Sequence, residues 1–237
     1  MNQHKILNGD GNMTEEDFVE AAARRLRLVS EKTWADSSFK ERYENTVGKV
    51  FDALHKNRPS DSFIVSNIAV AFYVAITMSV TVREGPENRY QKIQLKMLDK
   101  MLTEFSRDFN EGVKSISQYI NALVNGSSDR FMLPGKNADS IEEGKVKSFE
   151  FWSLMWLGHQ ISSGYVKDEV LGRMIMPCAE FYPEFELFFL EGLTKLFGPA
   201  REMKTPMLMP SKTGCMIPLV VMFAGIGVTA IGLIKLL

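Results

Sequence analysis

Apolar residues recur along this chain at spacings of three and four, and no stretch alternates apolar with polar as a half-buried strand would. Thr14, followed by Glu15, Glu16 and Asp17, predicts a helix start with acids in the first turn. Phe18, Ala22, Leu26 and Val29 then share one face. A second stripe, Phe39, Tyr43, Val47, Val50, Phe51 and Leu54, predicts another helix, broken by Arg58-Pro59-Ser60-Asp61. Residues 62–82 carry no charge and are mostly apolar, which fits either a buried central helix or a membrane span. Ser66, Asn67, Thr77 and Ser79 dilute that block toward the first of these, and Gly85-Pro86 ends it. An amphipathic helix is predicted over 87–110 on Leu98, Met101, Leu102, Phe105 and Phe109, and a shorter one on Val113, Ile116, Ile120 and Leu123. Residues 125–147, rich in Gly, Ser, Asn, Asp and Pro, read as an exposed linker. Residues 148–163 are apolar nearly all round, with Phe149, Phe151, Trp152, Leu154, Trp156 and Leu157, and predict a core helix. An amphipathic helix over 167–179 follows. A last helix carries Phe185, Phe188, Phe189, Leu193, Leu196 and Phe197 and stops at Gly198-Pro199.

The stretch 215–234 is different in kind. Its 20 residues include no charge, and as a helix they reach ~30 Å, the thickness of a bilayer's hydrocarbon core. Met216, Ile217, Leu219, Val220, Val221, Phe223, Ile226, Val228, Ile231, Leu233 and Ile234 are the side chains expected to meet lipid. Gly225, Thr229 and Gly232 fall on one face, where small residues let two membrane helices approach and self-associate. Only Lys235, Leu236 and Leu237 follow, so a tail-anchored topology with a cytosolic N-terminal domain is expected. The opening MNQHKILNGDGN is too polar for a signal peptide. Lys204, Lys212 and Lys235 flank the span in a way that suits the endoplasmic reticulum or the mitochondrial outer membrane. The predicted organisation is a flexible N-terminus (1–13), a helical domain (14–199), a tether (200–214) and a transmembrane anchor (215–234).

Composition adds mainly exclusions. A formal charge of −1 leaves the whole chain without a basic or acidic excess. Two cysteines, Cys178 and Cys215, do not make a disulfide framework and read as reduced thiols. His4, His55 and His159 lie on unrelated segments with no metal-ligand spacing. Gly9-Asp10-Gly11 is not set between a strand and a helix as a phosphate loop would be. Glu180, Glu184, Glu186 and Glu191 read as a solvated helix edge, and Arg24, Arg25 and Arg27 as a small basic patch. The expectation is a non-enzyme, with no catalytic residue, metal or cofactor.

Three segments resemble the helical-repeat middle domain of the four-G-type translation initiation scaffold and of poly(A)-binding-protein-interacting proteins. The first, VGKVFDALHKNRPSDSFIVSNIAVAFYVAI (47–76), is similar to that family's helix–Pro–Phe-Ser–helix hairpin. The second, YQKIQLKMLDKMLTEF (90–105), resembles its leucine-rich helix ending in Glu-Phe. The third, SFEFWSLMWLGHQISSGYVKDEVLGRMI (148–175), continues in FELFFLEGLTKLFGPAREM (185–203). The resemblance implies an all-α fold of HEAT-like antiparallel helix pairs. It also implies an adaptor that recruits a protein partner, a helicase or another ribonucleoprotein component, or RNA, in translation or RNA regulation. The same outline, a helical domain with a C-terminal anchor, also resembles apoptosis regulators of the B-cell-lymphoma-two type acting at the mitochondrial outer membrane. That family's Asn-Trp-Gly-Arg and Leu-x-x-x-Gly-Asp marks are not in the chain, and Trp34, Trp152 and Trp156 stand in other contexts.

Overall fold

A computed structural model of the protein describes residues 13–84, 89–126 and 141–198. Among these the chain is helical without a strand. Helix α1 (Glu15–Ala35) is followed by α2 (Ser37–Tyr43), one π-helical turn (Glu44–Gly48) and α3 (Lys49–Ala53). Then come α4 (Asp61–Glu84), α5 (Gln91–Gly126), α6 (Ile141–Ser162) and α7 (Asp168–Phe197).

The helix starts are written locally. Thr14 Oγ1 accepts from the Asp17 amide at 3.1 Å, and the Asp17 carboxylate accepts from the Thr14 amide at 3.2 Å, a reciprocal capping box. Asp36 caps α2 by accepting from the Phe39 amide at 2.9 Å. Ser60 Oγ does the same for α4, accepting from the Phe63 amide at 3.2 Å.

Helix α4 is the core. From Ser66 through Val80 every residue is buried, with α1, α5 and α6 laid along it and α7 touching it more lightly. Among the described residues it is the one helix long and apolar enough to cross a membrane, yet 89% of its most apolar 18-residue window is buried by the rest of the bundle. Several polar groups at this core are hydrogen-bonded within the protein, although the buried Ser66 hydroxyl has no partner among the described residues. Asn67 donates to the Phe63 carbonyl at 2.8 Å, and the buried Gln94 of α5 donates to the Thr77 carbonyl at 3.2 Å. Tyr73 returns a hydrogen bond to the Gln94 carbonyl at 3.0 Å. The block 62–82 is thus a protein-buried central helix.

Several element boundaries differ from the sequence pattern. The helices expected over 87–110 and around 113–123 are one helix, α5. Gly112 does not break it. A Cβ there would come within 2.9 Å of Val70 on α4, so the glycine marks close helix–helix approach. The helices expected over 167–179 and around 185–197 are likewise one, α7, with Pro177 and Pro183 inside it. The linker expected over 125–147 is shorter, because α5 reaches Gly126 and α6 already begins at Ile141. The second predicted helix is divided by the π-turn. The tether at 200–214 and the anchor at 215–234, including Gly225, Thr229 and Gly232, lie outside the described residues, as do 1–12 and 127–140.

Candidate functional site

Helix α6 is apolar on more faces than its packing uses. One face carries the buried Phe149, Trp156 and Leu157 into the core. The indole N–H of Trp156 donates to Ser115 Oγ at 3.1 Å, and Gln160 donates to the same oxygen at 3.1 Å. Another face holds Phe151, 36% exposed, beside the half-buried Trp152, their rings edge to face at 5.0 Å. Tyr119 of α5 stands behind Trp152 at 6.4 Å.

Helix α7 returns along this face. Asp168, Gly172 and Met176 repeat every fourth residue, as do Glu169 and Arg173, so both rows look toward α6. Together with Phe151, Trp152 and Met155 they line a groove of about 480 Å³. Met176 is 59% exposed. At Gly172 an added Cβ would meet nothing within 4 Å, so the groove is open at that position. The lining is mainly apolar, and Asp168, Glu169 and Arg173 of α7 provide the charge.

The two walls are held in place from outside. Between them the chain reverses through Ser163 and Gly164, both at positive φ (51° and 72°), and the Gly164 amide donates to the His159 carbonyl at 3.1 Å. Lys56 stands over the Tyr165 ring at 4.4 Å and hydrogen-bonds its hydroxyl, and Phe51 meets that ring edge-on at 5.8 Å. His159 Nε2 lies 3.3 Å from Asp168, joining the end of α6 to the first turn of α7.

Burial pushes the Cys178 thiol well above its ordinary value, which keeps it from being a thiolate nucleophile. Among the described residues no group of three or more His, Cys, Asp or Glu side chains could hold a metal ion. Arg24 and Arg27 pair with Glu20 and Glu31 on their own helix, whereas Arg25 reaches Glu184 of α7 at 2.6 Å. The expected acidic edge is therefore divided. Glu180 and Glu191 are exposed, but Glu184 binds Arg25 and Lys32, and Glu186 turns inward toward Arg83. A second cleft of about 400 Å³, between α1 and α5, is lined by Glu16, Glu20, Lys96 and Lys100, which pair with one another across it.

The sequence pattern did not separate the groove residues Phe151, Trp152, Gly172 and Met176 from the core. The available signal was α6 itself, apolar all round although it is an outer helix of the bundle. The anchor residues Met216 through Ile234 lie outside the described residues. No protein-family model, no curated protein and no solved structure matches this chain.

Proposed function

We propose that this protein is a membrane-tethered, non-enzymatic recruiter that takes an amphipathic helix of a partner protein into the α6–α7 groove. The observation that carries the reading is the unfilled apolar face itself: Phe151 of α6 and Met176 of α7 stay exposed, and Gly172, one turn before Met176, leaves open space. Such a surface suits a helix presenting apolar residues at every third and fourth position. The uncharged stretch 215–234 supports the tether. Tethering turns a search in three dimensions into one at a surface, at the endoplasmic reticulum or the mitochondrial outer membrane.

Two forms of this recruiter follow from the resemblances. In the first, a HEAT-like adaptor brings a helicase, another ribonucleoprotein component or RNA to the membrane. In the second, the chain is a divergent apoptosis regulator of the B-cell-lymphoma-two type. One observation favours the second: a single apolar helix, α4, is surrounded by the others, whereas stacked hairpins would share the core among successive pairs.

The test is a titration of full-length protein in micelles with labelled amphipathic helical peptides. Micromolar or tighter binding that weakens at least tenfold in Gly172→Leu and Met176→Glu supports the groove. Equal affinity in those variants, or no peptide bound, rejects it. Recovery of helicases or RNA from solubilised membranes, insensitive to both substitutions, would select the first form.

A further inference from the structure

Helix α7 carries a row of charges beside the groove that no other helix of the bundle pairs. Glu169, Arg173 and Glu180 are spaced by four and then seven residues, close to one and two helical turns, so they stand in one line along the helix. All three are exposed, and their side chains have no ion-pair or hydrogen-bond partner among the described residues. The first two line the groove, and Glu180 follows one turn after Met176, which lines it too.

Elsewhere in this chain, helices that cover one another pair the charges along their edges. Glu16 and Glu20 of α1 meet Lys96 and Lys100 of α5, and Arg25 and Lys32 of α1 meet Glu184 of α7. The row on α7 is an edge of the same kind with its counterpart missing. Neighbouring charges do not cancel it. Asp168 is engaged by His159 at 3.3 Å, and Arg42, donating to the Arg173 carbonyl at 2.7 Å, brings a second guanidinium to the middle of the row.

We propose that the helix docking in the groove presents basic, acidic and basic residues along one edge, opposite Glu169, Arg173 and Glu180, and that their unequal spacing sets its direction. This rests on the docking reading and specifies the occupant. A partner parallel to α7 matches the row with charges at i, i+4 and i+11, whereas an antiparallel one needs i, i+7 and i+11. Each pattern falls on one edge of a helix. At a shallow crossing of about 20°, the two edges stay within reach over the ~17 Å from Glu169 to Glu180. Apolar residues beside that edge cover Phe151, Trp152 and Gly172 and supply affinity, while the exposed charges select partner and orientation.

The test uses full-length protein in micelles and four labelled helical peptides that share one apolar face. Two carry Lys, Glu and Lys, at i, i+4 and i+11 or at i, i+7 and i+11; two carry Glu, Lys and Glu at the same places. At low salt each Lys–Glu–Lys peptide should bind roughly tenfold more tightly than its inverted counterpart, and ~1 M salt should bring the ratio below about twofold. The triple variant Glu169→Lys, Arg173→Glu, Glu180→Lys should reverse the preference with unchanged circular dichroism. A photo-cross-linker at the peptide N-terminus should capture residues near Glu169 with the first spacing and near Glu180 with the second. Equal binding of matched and inverted peptides, a preference that survives the triple variant, or capture at one end by both spacings overturns the inference and leaves the groove standing. Binding by none of the four rejects the docking reading and this inference together.

Discussion

Arg42 donates from its guanidinium to the main-chain carbonyl of Arg173 at 2.7 Å. That carbonyl lies four residues before Pro177, whose ring nitrogen has no hydrogen to give it. A side chain from α2 thus supplies the donor that α7 lacks, beside one wall of the groove. Arg42→Ala should cost about 1 kcal/mol, typical of one exposed hydrogen bond with a charged donor. In a Pro177→Ala background the helix regains its own N–H, and the same substitution should cost markedly less. Urea unfolding of the four proteins gives the coupling energy; a coupling of zero would show that Arg42 and Pro177 are unrelated.

Two glycines of α7 make opposite demands. At Gly192 an added Cβ would lie 2.1 Å from the Phe18 ring of α1, which is itself packed between Phe188 and Phe189. Gly192→Ala must separate α1 from α7 and should destabilise by about 2–3 kcal/mol. Gly172→Ala meets nothing within 4 Å, and removing a mid-helix glycine should stabilise by up to ~1 kcal/mol. The same change in one helix should therefore shift the thermal midpoint down at one site and up at the other. Two shifts of the same sign would contradict this packing.

Acid and neutral pH should strain different parts of the bundle. Lys96 binds Glu15 at 3.0 Å and Glu16 at 2.5 Å, and Lys100 binds Glu20 at 2.6 Å, tying α5 to α1. Hydrogen bonds from these lysines hold the three carboxyls below their ordinary value of 4.5. The stability they give is present above about pH 4.5 and lost as pH falls through their folded-state values. The half-buried Glu150, raised instead of lowered, acts in the opposite sense at higher pH, so the thermal midpoint should be greatest near pH 5. Because the α1–α5 ladder is made of exposed ion pairs, whereas burial is the main cause that pushes the Glu150 carboxyl up to about 7, ~1 M salt should flatten the acid slope and spare the neutral one. Thermal melts from pH 3 to 8 at low and high salt decide the matter; equal salt sensitivity of both slopes would refute the assignment.

Local signals in the sequence located what local physics controls. Thr14 and Asp17 mark the start of α1, and the uncharged run from Ser62 foretells a central helix, because capping and burial act within a few residues. Distant partners were not legible. The break expected after 179 gives no sign of Arg42, which lies 131 residues before Arg173 and supplies the donor that Pro177 lacks in the continuous α7. The separate helices expected over 87–110 and around 113–123 gave no sign of Val70, which packs against Gly112 within one continuous helix. Glu186 reads as solvated because Arg83 lies 103 residues earlier in the chain. The groove was hidden for a related reason: hydrophobic pattern says that Phe151 and Trp152 avoid water, but not whether this molecule or another covers them.

Membrane association should reside in the tail and not in α4. Two stretches of the chain are long and apolar enough to span a bilayer, 62–82 and 215–234. The first is enclosed by α1, α5 and α6 and joined to α5 through Tyr73 and Gln94. Moving it into lipid would break those hydrogen bonds and expose the faces that now cover it. The composition of 215–234, by contrast, favours hydrocarbon over water. Deleting 215–237 should therefore shift the protein from the membrane pellet to the supernatant after carbonate extraction. Its circular dichroism should keep the helical signature of the bundle. Retention of the truncated chain in the pellet would transfer the anchoring role to α4 and require the bundle to open at the membrane.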